Sequence, residues 1–106
     1  MSSVLNSWQE NDFNDFIKSK KAGLILFSAP WCSACKLISP VIEDLAKNYP
    51  DFPFAKINVS KNPGLASKMG IMSLPNILLI NGGKVKDQII GFTNKKEIET
   101  KIKKLK

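Results

Sequence analysis

The stretch Ala29-Pro30-Trp31-Cys32-Ser33-Ala34-Cys35-Lys36 carries the only two cysteines of the chain, three positions apart. Two thiols at that spacing can serve as a structural staple, as half of a metal site, or as a working redox pair. A disulfide closing so short a loop constrains the unfolded chain by only about 2 kcal/mol, and a reducing compartment would open it. Structural zinc takes four ligands, mostly Cys or His. This sequence has no histidine and no further cysteine, so one chain cannot complete such a site. A redox pair fits the context best. The apolar run Gly23-Leu24-Ile25-Leu26-Phe27-Ser28 ends just before the motif, and residues 32–48 follow with helical spacing. Cys32 thus stands at a strand-to-helix switch, where unpaired N–H groups and the positive end of the helix dipole favour thiolate over thiol. Lys36 adds positive potential one turn on. Cys35 lies one turn past Cys32 on nearly the same face, within reach of a mixed disulfide formed there. Position 32 is expected to be the more exposed, which makes Cys32 the nucleophile and Cys35 the resolving thiol.

Working outward from the motif, Ser7 with Glu10 spells a capping box, and Phe13, Phe16 and Ile17 follow at helical spacing, predicting a helix over about 8–19. The run 23–28 predicts a strand buried on both faces. In the helix over 32–48, Leu37, Val41 and Leu45 are expected inward, with Ile38 and Ile42 as further candidates. Pro40 should bend that helix by removing one backbone hydrogen bond. Phe54-Ala55-Lys56-Ile57-Asn58-Val59 alternates like a strand. Asn62 before Pro63 reads as an N-cap with proline at the first helical position, opening a short helix that ends near Gly70. Residues 76–80 predict a strand, Asn81-Gly82-Gly83 a hairpin turn, and 84–90 its partner. Asn94 with Glu97 caps a last helix whose inner face is Ile98, Ile102 and Leu105. A short strand at 3–6 fits ahead of these elements. The first half alternates as βαβ, implying a parallel pair with a right-handed crossover. The second half is ββα with an antiparallel hairpin. An α/β architecture follows, with a mixed central sheet and helices on both faces.

Length and composition agree with one domain over 1–106: apolar residues make up 43% and charged residues 24%. No apolar run is long enough to span a bilayer. The first residues lack a basic segment followed by an apolar one, so a cytoplasmic location is expected, with a mature secreted form as the alternative. The net charge is +7, carried by 16 lysines without arginine or histidine. Nucleic-acid binding is disfavoured, because the lysines are dispersed and the fork-shaped arginine donor is absent. The basic C-terminal stretch can bias partner choice by electrostatic steering.

The motif at 29–36 resembles the Trp-Cys-Gly-Pro-Cys-Lys signature of the thioredoxin family. Residues 39–46, Ser-Pro-Val-Ile-Glu-Asp-Leu-Ala, are similar to the continuation of the same helix, including Pro40. Residues 70–84 resemble the family's cis-proline loop, strand and glycine turn, and residues 89–92 its last strand and glycine. The likeness is collinear over essentially the whole chain. It implies a thioredoxin fold, a single domain with a central mixed four- to five-stranded sheet flanked by four helices. It also implies a thiol–disulfide oxidoreductase that reduces disulfides in client proteins, carries no cofactor or metal, works as a monomer and is restored by a flavin-dependent thioredoxin reductase. Trp31 and the backbone of Leu74 would meet the client, Pro75 would be cis beside the cysteine pair, and Gly91 would let the client backbone approach.

The departures from the family pattern concern tuning. Leu26 stands where most members bury an aspartate that helps move the proton of the second thiol. An apolar neighbour there disfavours a Cys35 thiolate. Lys56, on the next strand, loses its matching carboxylate and is expected to turn its amine outward. Ser28 replaces a common tryptophan. Ser33 and Ala34 replace Gly-Pro between the cysteines, where redox potential is set across about −270 to −120 mV. Together with Lys36 these positions leave three readings: a general reductase, a specialised oxidant, isomerase or partner of an unusual reductase, and a binding subunit without catalysis.

Overall fold

The computed structural model describes residues 5–105. Its elements are β1 (Asn6–Trp8), α1 (Glu10–Ser19), β2 (Gly23–Ser28), α2 (Ser33–Asn48), β3 (Phe54–Asn58), α3 (Pro63–Lys68), β4 (Asn76–Asn81), β5 (Lys84–Ile90) and α4 (Lys95–Leu105). The strands form one sheet in the order β1-β3-β2-β4-β5. β3 pairs in parallel with both β1 and β2, whereas β4 is antiparallel to β2 and to β5. Every residue of β2 is buried, as a central strand covered on both faces requires. Its alternation divides the core. Leu24 and Leu26 join Ile38, Ile42 and Ile98 on the α2/α4 side. Ile25 and Phe27 join Phe13, Phe16 and Leu65 on the α1/α3 side.

Three expectations need correction. The first strand is Asn6–Trp8 rather than 3–6, and residues 3 and 4 lie outside the described residues. Ser7 therefore pairs with Lys56 in the sheet instead of capping α1. The cap is Gln9, whose N–H donates to the Asp12 carboxylate at 2.9 Å. Leu37 is 66% exposed, because α2 turns Cys35, Ile38, Ile42 and Leu45 to the sheet. Leu37 follows Cys35 by about 200° around the helix and so points away. α2 continues through Pro40 as one helix.

Two turns matter for shape. Gly82 and Gly83, at φ 64° and 78°, supply the positive dihedrals of a two-residue hairpin turn. Asn62 occupies the N-cap of α3, but its amide works elsewhere: Oδ1 accepts from Glu10 N–H at 3.1 Å and Nδ2 donates to the Asn58 carbonyl at 3.0 Å. Side chains fasten α4, and Asn81 Nδ2 also donates to its Leu105 carbonyl at 3.1 Å. Lys95 donates to Asp44 at 2.6 Å, Lys101 to Asp87 at 2.8 Å, and the Tyr49 hydroxyl to Glu99 at 2.6 Å. The lysine donors hold both aspartates below the usual carboxylate range, and the Glu99 bond pushes the Tyr49 phenol up. Among the described residues no helix is long and apolar enough to cross a membrane.

Candidate active site

The C-terminal end of β2 delivers the chain to the site. Ala29, Pro30 and Trp31 turn the backbone, and Cys32 N–H closes the turn on the Ala29 carbonyl at 3.2 Å. Cys32 is the N-cap of α2, with extended backbone, and its Sγ accepts from Cys35 N–H at 3.1 Å. Sulfur thus fills the place that a serine or aspartate oxygen takes at most helix starts. The first turn of α2 contains no acid that would oppose the dipole. Cys32 and Cys35 are joined in a disulfide with Cα atoms 5.2 Å apart. Cys32 is half-buried and Cys35 only 2% exposed.

On the Cys32 side lies a groove of about 960 Å³ between Trp31 and α3, floored by Val59, Ala66, Ile71 and Leu74. Trp31 is 68% exposed and Met72 94% exposed at its rim. The Leu74–Pro75 bond is cis, as the resemblance implied. Gly91, at φ 87°, donates its N–H to the Pro75 carbonyl at 2.8 Å, which brings the 91–92 turn beside the cis-proline loop. No backbone hydrogen bond engages Leu74 among the described residues. The expected positions Trp31, Cys32 and Leu74 therefore share one groove, with Pro75 and Gly91 adjoining it. Ser33 is exposed and Ala34 half-buried at the head of α2.

On the other side of Cys35 is a smaller cleft of about 240 Å³, lined by Ser28, Lys36, Ser39, Lys56 and Asn58. The Ser39 hydroxyl donates to the Cys35 carbonyl at 2.8 Å. Leu26 is fully buried in the α2/α4 core, in register with Lys56 on β3 and Ile77 on β4. The surroundings of Cys35 are thus more polar than Leu26 alone implied. Sequence reasoning missed this cleft and the α3 wall of the groove, because both join segments far apart in the chain. The one signal within reach was Met72, an apolar residue between loop residues with no partner in any periodic stripe.

A family model described as Thioredoxin matches residues 4–104. The chain belongs to the thioredoxin family. It is 44% identical over 94 residues to a thioredoxin of Chlorobaculum thiosulfatiphilum, covering 88% of this chain and 87% of that one. It is 37% identical over 92 residues to a thioredoxin of Alicyclobacillus acidocaldarius, covering 86% and 88%. Among solved structures it is similar to a thioredoxin of Nicotiana alata, with a TM-score of 0.90 at 30% identity over 100% of this chain and 96% of that one. It is also similar to oxidised mitochondrial thioredoxin 3 of Saccharomyces cerevisiae, with a TM-score of 0.87 at 31% identity over 98% and 100%. The fold is the thioredoxin fold, with five strands and four helices. The protein is a thiol–disulfide oxidoreductase, a protein-disulfide reductase with Cys32 and Cys35 as its redox pair. Thioredoxins act on disulfide clients and are themselves reduced by thioredoxin reductase.

Proposed function

We propose that Cys32 is the nucleophile and Cys35 the resolving thiol. The Cys32 thiolate attacks one sulfur of a client disulfide, forming a mixed disulfide and expelling the other client sulfur as thiolate. Cys35 gives up its proton and attacks Cys32 Sγ. The mixed disulfide breaks, the second client thiolate leaves, and two electrons have moved from the protein to the client. The observation that carries this assignment is the asymmetry of exposure: Cys32 borders the groove, and Cys35 is 2% exposed behind it. Attack from solvent reaches the first sulfur and not the second.

In the same reading Trp31, Leu74, Pro75 and Gly91 form the client surface. The unengaged Leu74 backbone supports pairing with an extended client segment, a short case of strand addition. Ser33, Ala34, Lys36, Leu26 and Lys56 tune potential and proton transfer. A flavin-dependent reductase drawing on NADPH restores the dithiol. The chain works as a monomer without a cofactor of its own, in a reducing cytoplasm that keeps the cycle supplied with electrons.

The test is a short pulse of iodoacetamide on the reduced protein, followed by peptide mapping. Cys32 is expected to be alkylated first, and preferential labelling of Cys35 would overturn the assignment. Cys35→Ser should also accumulate a mixed disulfide on Cys32 with an oxidised client, and Cys32→Ser should accumulate none.

A further inference from the structure

The charge around the disulfide is one-sided. None of the nine acidic residues lies within 16–42, 52–86 or 88–96. Those intervals contain every residue that lines the groove with Cys32, from Trp31 and from the stretch Val59 to Leu74, and also Gly91, which bonds the Pro75 carbonyl next to it. They contain Lys36 beside Cys35, Lys56 in the small cleft, and exposed Lys61 next to the groove residue Ser60. On α2 the nearest acid past Lys36 is Glu43, seven residues and about 10 Å farther along the axis. Glu10 pairs with Lys68 at 3.6 Å. Glu97 accepts from the Thr93 hydroxyl at 2.8 Å. Asp44 and Asp87 are held by Lys95 and Lys101. The acids named above are engaged or remote, and the redox face presents an apolar groove flanked by Lys61 on one side of the cysteine pair and a cleft holding Lys36 and Lys56 on the other.

We propose that this face selects disulfides flanked by carboxylates. Its preferred client is an extended protein segment with an apolar side chain for the groove and Asp or Glu beside the reacting cysteine. This rests on the function proposed above and specifies its substrate class. A surface of one charge sign raises the encounter rate of oppositely charged partners and repels like-charged ones. The apolar floor favours a protein segment over nucleic acid, and the fork-shaped arginine donor suited to phosphate is absent from the chain.

The test uses three model peptides with the same disulfide loop and apolar residue, flanked by Glu, Gln or Lys. Each is reduced by the dithiol protein in single turnover, and each rate is divided by the rate with dithiothreitol to remove intrinsic differences between the disulfides. At an ionic strength of about 0.01 M the Glu peptide should react roughly tenfold faster than the Gln peptide, and the Lys peptide slower than both. At about 1 M, where the screening length is about 3 Å, the three should converge. Lys61→Glu should slow the Glu peptide and speed the Lys peptide, a crossing that a folding defect cannot produce. Equal normalised rates for Glu and Gln at low salt overturn the proposal while leaving the reductase reading intact. Failure to reduce the Gln peptide at all counts against the reductase reading instead. Tighter binding of a single-stranded oligonucleotide than of the Glu peptide at equal salt would assign the face to nucleic acid and also overturn the proposal.

Discussion

Leu26→Asp restores the carboxylate common in the family to a place where this chain has none. Leu26 is fully buried, with Ile38 and Ile42 in the same cluster, and its only cationic register partner is Lys56. Removing the leucine side chain loses about 2 kcal/mol of burial. Placing a carboxyl group there with incomplete hydrogen bonding costs about 2 kcal/mol more. The sum, about 4 kcal/mol, is a large part of the roughly 5–15 kcal/mol expected for a domain of this size. Urea melts should therefore move to lower midpoint by roughly 2 M. Burial raises the folded-state pKa of the new acid above its unfolded value. The destabilisation is then smallest below about pH 4 and deepens as pH rises through the folded value. The gain is kinetic. The Asp would accept the Cys35 proton inside the fold, whereas the wild type must route it through the cleft of Lys56, Ser28 and Ser39. Single-turnover reduction of a disulfide client should rise more steeply from about pH 6 to 9 in the wild type, and Leu26→Asp should be faster at neutral pH. Superimposable pH–rate profiles for the two proteins would refute any part of position 26 in proton transfer.

Three further outcomes are expected. Asp87 is held low chiefly by the Lys101 hydrogen bond, so the stability it adds is present above about pH 4 and lost as pH falls through its lowered folded value; the urea-melt gap between wild type and Asp87→Asn should close with acidification. Tyr49 is the only tyrosine, so phenolate absorbance reads it alone; its midpoint should lie above 10.0, and Glu99→Ala should bring it down by removing the acceptor that raises it. Gly83→Ala should cost about 2 kcal/mol, because a Cβ there would meet the Ile17 carbonyl at 3.0 Å at a positive φ, whereas Gly82→Ala, with open space around it, should cost about half as much; equal costs in urea melts would remove the contact from the explanation.

Local chemistry made most of the framework readable. β2 and β5 fall on the predicted residues, because an apolar run and an Asn-Gly-Gly turn carry their own boundaries. Asn94 caps α4 as expected, its Oδ1 accepting from Glu97 N–H at 2.8 Å. What failed depended on tertiary partners. Ser7 has the side chain of a cap, yet pairing with β3 claims its backbone for β1. Leu37 fits one helical stripe as well as Ile38 fits another, and only the burial of Cys35 decides between them. The two cysteines were legible because spacing and a strand-to-helix switch suffice to place them. The groove and the cleft were not, since each is assembled from three or more segments distant in sequence whose meeting is a property of sheet order.

Asn62 shows how narrowly one position can be specified. Its acceptor holds the first turn of α1 and its donor holds the end of β3, while its backbone opens the helix that walls the groove. Aspartate would keep the acceptor but turn an oxygen toward the Asn58 carbonyl, leucine would leave the Glu10 N–H without its acceptor while the Asn58 carbonyl keeps the Lys61 and Asn62 N–H groups, and glutamine would overshoot by one methylene. Substitution at 62 thus loosens α1, the end of β3 and the groove wall together, a cost in stability that reaches the client surface through α3.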